Sequence, residues 1–456
     1  MNKRKVLVIG LDAAPPELVF GKFKDRLPNI NLMLENGLYG RLRSTDPPIT
    51  IPAWLSMFTG KGPERLGLYG FRHRRGFSYT EFLIANSNSC KEKTVWDIVS
   101  DIGKKVCIIG VPPSYPPKAV NGHLVSCFIT PDTNCNYTYP ASLKKEIEDL
   151  VGEYMVDVVF RTEERDRLRE QLFEMTQKRF KVIKYLLREK PWELFIFVEI
   201  GVDRVQHAFW KYWDKEHHLY QEGNKYESVI FDYYKYLDDE IGDLLNIVGK
   251  DTVVLVVSDH GVKRMKGAFC INEWLTQEGY LKINRFPDKV MPLDKADVDW
   301  PKSTAWGWGG YPARIFLNLR GREKEGLIEP ANFAGKRDEI AEKIKAVRAP
   351  NGEKMETEVL FSKDIYDSAQ ADMVIYLDNL NFRSAGTVGH HSLFLKENDT
   401  GPDDAVHAKD GIFILFDPMS KQRGERRNLK IVDVAPTILD RLGKEIPEDM
   451  EGKVIS

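Results

Sequence analysis

The strongest constraint on this chain is a set of short apolar runs separated by longer amphipathic stretches. KVLVIGL (5–11), KVCIIGV (105–111), LFIFVEIG (194–201), TVVLVVS (252–258) and GIFILF (411–416) are almost continuously hydrophobic. That pattern suits strands covered on both faces. Between them, apolar residues recur at helical spacing. A segment starting near Glu163 puts Leu168, Leu172, Met175, Ile183 and Leu186 on one face. A second, over about 226–248, repeats the pattern with Ile230, Tyr234, Leu237, Ile241 and Leu245. VDVAPTILDRLG (432–443) reads as a last helix stopped at Gly443. This alternation predicts an α/β fold with a mostly parallel central sheet.

The rhythm breaks from about 270 to 400. That stretch holds the Trp-rich WPKSTAWGWGGYPARIFLNL (300–319), a charged helix near 332–348 and a Gly/His-rich loop at 386–391. We read 1–456 as a single domain and 270–400 as a cap-like insertion in it. A chain of 456 residues has ample length for both.

Charge excludes little. The 66 Lys+Arg against 68 Asp+Glu give a net charge of -2, so no global attraction to nucleic acid or to an anionic membrane follows. Five scattered cysteines, with no CxxC pair, form neither a disulfide framework nor a thiolate metal site. A reducing, cytoplasmic setting is expected. No apolar run approaches the roughly 20 residues of a membrane span.

Polar residues at the strand ends carry the chemistry. KVLVIGL runs into Asp12, LFIFVEIG into Asp203 and His207, and TVVLVVS into Asp259 and His260, while His407 precedes GIFILF by four residues. In open α/β sheets, ligands gather beyond the carboxyl ends of the strands. A single Asp there is commonly a helix cap or turn residue, and Asp203 with His207 could equally be a surface ion pair. Their joint occurrence on successive strand ends points instead to one centre. Carboxylate and imidazole donors suit Zn²⁺, or Mn²⁺, better than a thiolate-selecting metal. Thr50 lies between Pro48 and Pro52, ahead of an apolar, helix-like stretch. It reads either as a simple N-cap or as a nucleophile facing helix-terminal N–H groups that favour an incoming phosphate.

GLDAA (10–14), the Thr50 loop STDPPITIPAWLSMF, DRVQH (203–207), SDHG (258–261) and HAKDG (407–411) resemble, in this order, the alkaline phosphatase superfamily. The similarity is to its type I phosphodiesterase/nucleotide pyrophosphatase branch and the related phosphohydrolase/phosphomutase group. FLNLRGREKEGLI (316–328) and the tail DVAPTILDRLGKEIPEDMEGKVI (433–455) resemble the same group, so the likeness spans the chain. It implies the three-layer alkaline phosphatase-like sandwich and a site for two divalent ions. By that resemblance Asp203, His207 and His407 would hold one ion. Asp12, Asp259, His260 and the Thr50 hydroxyl would hold the other, and Thr50 would form a phosphothreonine during turnover. Two ions roughly 4 Å apart would clamp an in-line displacement.

The expected substrate is a small phosphate ester. A hydrolase of phosphodiester, pyrophosphate or phosphomonoester bonds, a mutase with the same nucleophile, and a non-catalytic phosphate-binding protein remain open. A sulfatase would have Cys or Ser at position 50. One position departs from the pyrophosphatase pattern: Phe71 stands near where that branch typically has an Asn. Arg72 and His73, in the basic run RHRR (72–75), either bind the phosphate or form a solvated loop. Trp306, Trp308 and Tyr311 read either as a small cap core or as a stacking surface for substrate. His390 and His391 read as loop residues or as part of the site.

Overall fold

The computed structural model describes residues 4–361 and 371–456. The central sheet has ten strands. They are β1 (Lys5–Leu11), β2 (Leu38–Arg43), β3 (Val106–Ile109), β4 (Gly122–Val125), β5 (Thr138–Tyr139), β6 (Leu194–Glu199), β7 (Thr252–Val257), β8 (Asp410–Phe416) and the short pairs Gly424–Glu425 and Leu429–Lys430. Across the sheet, Gly424–Glu425 is followed by β2, β8, β7, β1, β6, β3, β4 and β5, and Leu429–Lys430 also pairs with β2. The five strands from β7 to β4 are parallel.

Alternation along each strand explains the near-continuous hydrophobicity. In β1, Leu7, Ile9 and Leu11 enter one core cluster, whereas Val6 and Val8 enter another. β6 divides in the same way, with Phe195 and Phe197 on one face and Leu194, Ile196 and Val198 on the other. Helices cover both faces. We label α1 (Thr50–Thr59), α2 (Arg165–Glu189), α3 (Gly201–Trp213), α4 (Val229–Val248) and α5 (Val434–Arg441). α2, α3 and α4 bring Leu172, Val205 and Ile241 to the first face, and α1 and α5 bring Trp54, Phe58 and Ile438 to the second. Each such side chain, fully buried, contributes about 1.5–3 kcal/mol.

One expectation needed refinement. β8 runs antiparallel to β7, with Phe413 opposite Val257. Its amino end therefore lies at the carboxyl end of β7. This is why His407, which precedes its strand, meets Asp259 and His260, which come after theirs. LFIFVEIG also stops short, with β6 ending at Glu199 and Gly201 opening the helix that carries Asp203 and His207.

The region after 267 builds separate sheets. The largest has Ala305–Trp308, Ala313–Leu317, Met373–Tyr376 and Glu358–Phe361 as its neighbouring strands. Trp306, Phe316, Ile340 and Ile375 form the middle of a hydrophobic cluster distinct from the two beneath the main sheet. The RHRR run is not a solvated loop, because Arg72–Arg74 pairs with Phe82–Ile84 as a hairpin. Tyr79, within the hairpin's loop, stacks on Trp300 at 4.1 Å. All five cysteines are free. Among the described residues, no helix is long and apolar enough to cross a membrane.

Candidate active site at the carboxyl edge of the sheet

Asp12 comes directly after β1, and its setting begins with Gly10. A Cβ there would lie 2.7 Å from the Trp54 ring, so glycine leaves the space through which the indole passes. Trp54 Nε1 then donates to Asp12 Oδ2 at 2.7 Å. Trp54 lies one turn after Thr50 on α1, so the helix that carries Thr50 also anchors Asp12. The next residue, Ala13, has a left-handed φ of 61°, which is uncommon for a residue with a side chain. Its N–H donates to Asp259 Oδ1 at 3.1 Å, and its carbonyl accepts from Gln206 Nε2 at 3.1 Å. The ends of β1, β7 and α3 are tied at that residue.

Asp203 and His207 lie one turn apart on α3, with His207 Nε2 3.2 Å from Asp203 Oδ1. His407 sits on Ala405–Ala408, which pairs antiparallel with Gly261–Arg264 just beyond His260. The two imidazole rings stack at 3.8 Å. Donor-capable atoms of Asp203, His260 and His407 lie within 4.8 Å of one another, as do those of Asp12, Asp259 and His260. Every one of these residues is buried.

The grouping differs from the resemblance at His207. His260 is common to both clusters, whereas His207 stands beside them, with Nδ1 2.8 Å from Asp403 Oδ1. Thr50 is the first residue of α1, whose N-cap position is held by Ile49 without a side-chain cap. Its hydroxyl is therefore not used for capping, and Oγ1 lies 3.3 Å from His260 Nε2.

The electrostatics of this edge are unbalanced. Burial pushes the Asp12 carboxyl well above the usual range, and Asp203 adds to it. Burial likewise raises Asp259, with Asp12 next in weight. Burial alone would raise Asp203 too, but His207, Arg204 and His407 outweigh it and hold that carboxyl low. Burial pushes His260 down to about 4 and His407 well below its usual value. Asp12 Oδ1 and Asp259 Oδ2 are buried without a hydrogen-bond partner, a costly arrangement for a charged oxygen. A divalent cation would satisfy both oxygens, and the His260 and His407 imidazoles, whose Nε2 atoms face the carboxylates, complete a suitable donor set. The residues present fit such ions.

The remaining expected residues disperse. Arg72 lies over the Phe82 ring at 4.8 Å. His73 is buried with Nε2 3.0 Å from the Gly70 carbonyl, and burial pushes it down to about 4. His73 is thus neutral at neutral pH, which leaves Arg72 as the cation of that pair. Phe71 packs against Phe128, with ring centroids 6.1 Å apart. Trp306 and Trp308 both contact Phe316 in the hydrophobic cluster of the region after 267. Tyr311, from the same segment, reaches the site, where it stacks on His407 at 3.7 Å and brings its hydroxyl 3.3 Å from His207. His390 Nε2 lies 2.7 Å from the Thr387 hydroxyl, and His391 packs near Phe286.

Sequence reasoning did not find Trp54, Gln206, Arg204 or Asp403. Trp54 carried a usable signal, since it lies at i+4 from Thr50 and shares its helix face. Asp403 had none, because nothing in DDAVH separates a buried partner of His207 from a surface carboxylate.

The type I phosphodiesterase/nucleotide pyrophosphatase family model matches residues 6–399. No curated protein matches the sequence. Among solved structures, human ectonucleotide pyrophosphatase/phosphodiesterase 5 is similar at 12% identity and a TM-score of 0.59, covering 98% of this chain and 97% of that one. The murine counterpart, an inactive variant in complex with AMP, aligns at 13% identity and a TM-score of 0.58, over 98% and 97% of the two chains. Phosphonoacetate hydrolase from Sinorhizobium meliloti, in complex with phosphonoformate, aligns at 16% identity and a TM-score of 0.62, over 97% and 95%. At such identities these likenesses establish the fold alone, an alkaline phosphatase-like one, and the family match adds the rest. The chain belongs to the type I phosphodiesterase/nucleotide pyrophosphatase family and is a hydrolase acting on phosphoric ester bonds.

Proposed function

We propose that the chain cleaves a small phosphate or phosphonate ester through a phosphothreonine at Thr50, in a site built for two divalent ions, Zn²⁺ or Mn²⁺. One observation carries this reading: Asp12 and Asp259 keep unpartnered, buried carboxylate oxygens beside the His260 imidazole that neighbours the Thr50 hydroxyl. Bound ions would neutralise these carboxylates, lower the pKa of the hydroxyl and stabilise the leaving oxygen. Asp12, Asp259 and His260 would hold one ion, and Asp203 and His407, with His207 beside them, the other.

The protein's own contribution is placement. α1 presents the Thr50 hydroxyl, and Trp54 on the same helix fixes the Asp12 carboxylate. Gln206 and Asp259 hold the strained turn at Ala13. In the first step the bond between phosphorus and the leaving oxygen breaks as the Thr50 Oγ1–phosphorus bond forms. The hydroxyl gives up its proton and the departing alkoxide takes one up, so no net proton is consumed. Water then cleaves the phosphothreonine and restores the hydroxyl. We assign the 270–400 region the role of a cap, because Tyr311 from it packs on His407. Residues 362–370 of that region lie outside those described.

The neighbours' ligands, AMP and phosphonoformate, favour a small phosphorus-containing substrate. The test is a side-by-side rate measurement on p-nitrophenyl phosphate, bis(p-nitrophenyl) phosphate, p-nitrophenyl phenylphosphonate and a phosphosugar, before and after chelation. Ester hydrolysis that chelator abolishes and Zn²⁺ or Mn²⁺ restores is expected. Undiminished hydrolysis in strong chelator would sink the metal reading. A preference for the monoester would bring Arg72 into consideration as a phosphate ligand. Rearrangement of the phosphosugar without free phosphate would make the chain a mutase.

A further inference from the structure

The three imidazoles of the site share one feature that their order in the sequence conceals: each has Nδ1 against an acceptor. His407 Nδ1 lies 2.8 Å from the Pro48 carbonyl, His260 Nδ1 3.0 Å from the Gly261 carbonyl, and His207 Nδ1 2.8 Å from Asp403 Oδ1. An acceptor at Nδ1 keeps the proton on that nitrogen and leaves the Nε2 lone pair for a metal. Two of the three acceptors are backbone carbonyls, fixed by the fold itself. The third is a side chain, and it is held with unusual care. Asp403 is completely buried at the carboxylate. Its Oδ2 accepts from Arg161 Nη2 at 2.9 Å and Nε at 3.2 Å, from Arg383 Nη1 at 3.4 Å and from the Tyr311 hydroxyl at 3.4 Å. Three separate segments thus converge on one oxygen while the other faces His207.

We infer that Asp403 is a positioning residue for the metal centre. It fixes His207 in the Nδ1–H form, aims Nε2 toward Asp203 and makes the imidazole a stronger donor. The inference rests on the metal-site reading above, and its test separates the two.

Asp403→Asn is the informative variant, because Arg161 and Arg383 can only donate hydrogen bonds. The amide oxygen must turn to the arginines, so the NH₂ group faces His207 Nδ1 and drives the proton to Nε2. A substitution that is nearly isosteric, and benign if Asp403 only fills space, then blocks the nitrogen needed for the metal. Chelator-stripped wild type, Asp403→Asn, Asp403→Ala, His207→Ala and the double variant His207→Ala/Asp403→Asn are titrated with Co²⁺, following the visible absorption, with far-UV circular dichroism as the check on folding. Loss of about 10–100-fold in affinity for one of two ions is expected in Asp403→Asn, with a changed Co²⁺ spectrum. The double variant should bind no more weakly than His207→Ala alone. An Asp403→Asn protein with wild-type affinity and spectrum would overturn the inference while leaving the metal site standing. Additive losses in the double variant would overturn it too, because Asp403 would then act independently of His207. A wild-type chain that binds no Co²⁺ would remove the metal-site reading and this inference together. If Asp403→Ala does not fold, the Asn and double variants carry the result.

Discussion

Two buried charged clusters in this molecule differ in one respect. Where the Arg72–Arg74 hairpin meets the region after 267, which we read as the cap, Arg74 donates to Glu323 at 3.0 Å with both side chains nearly sealed from solvent. Glu323 also accepts from the Leu319 N–H at 2.9 Å and from Arg322 Nε at 3.0 Å, while Arg74 Nε reaches the Ser78 carbonyl at 3.0 Å. Arg322 Nη1 donates in turn to Asp372 Oδ1 at 2.7 Å, so two arginines face two carboxylates and the cluster balances its own charge. At the sheet edge, Asp12, Asp203 and Asp259 crowd together, and two of their oxygens have no hydrogen-bond partner. Buried charge by itself is common in structural networks. Two such oxygens beside one shared imidazole form a donor set that a cation would satisfy.

The largest effect that tests this contrast is on turnover. Thr50→Ala should lower kcat by at least about 10⁴-fold, as removal of a nucleophile does elsewhere. Binding of divalent ions, monitored by calorimetry, should persist, because Asp12, Asp259 and His260 remain as donors beside the missing hydroxyl. Near-normal turnover would remove Thr50 from the chemistry and leave the unpaired carboxylates unexplained. The cap cluster should respond in the opposite way. Glu323→Ala strands Arg74 and should cost about 3–5 kcal/mol of stability in denaturant unfolding, with ion binding unchanged. Weakened ion binding in that variant would show that the two clusters are coupled.

The pH dependence of stability separates them further. His73, in the hairpin that also carries Arg74, is pushed from 6.5 to about 4 by burial, with the Gly70 carbonyl opposing and Arg314 assisting. Between those values the unfolded chain binds a proton that the native chain refuses. Its contribution is therefore complete above 6.5 and is lost as pH falls through about 4. The loss amounts to about 3 kcal/mol at most. His73→Gln should flatten the acid limb of the unfolding profile in this window, and an unaltered limb would mean that His73 is protonated in the folded protein.

The two regions also differ in how far the sequence disclosed them. The sheet was legible because strands buried on both faces must be apolar throughout, and β1, β6 and β7 leave no other reading. The metal-capable residues were legible because the residues just past each parallel strand gather at the carboxyl edge of such a sheet. His407 needed the antiparallel course of β8, which no local pattern reveals. The cap was opaque for a related reason. Trp306, Trp308 and Tyr311 lie within six positions, yet alternation along Ala305–Trp308 and the turn beyond it send the tryptophans to the cap core and the tyrosine to His407. Arg74 was hidden inside a basic run that read equally as a phosphate site or a solvated loop, because its partner Glu323 is 249 residues away.

The smallest predicted effect is the sharpest test of the imbalance. Asp12→Asn keeps shape and lets the amide oxygen accept from Trp54 Nε1, while its NH₂ group can meet the Asp259 carboxylate. The variant places a donor against Asp259 and removes an acid whose charged form burial disfavours, so the chelated variant should be more stable than chelated wild type by about 1–3 kcal/mol. Adding Zn²⁺ should reverse the order. The wild type gains stability as ions bind its native state, and the variant, lacking a ligand charge, gains less. Thermal unfolding of both proteins with and without Zn²⁺ reads the sign directly. If Asp12→Asn destabilises the chelated protein as well, Asp12 is an ordinary satisfied core carboxylate, and the distinction between a balanced cap and an unbalanced sheet edge does not hold.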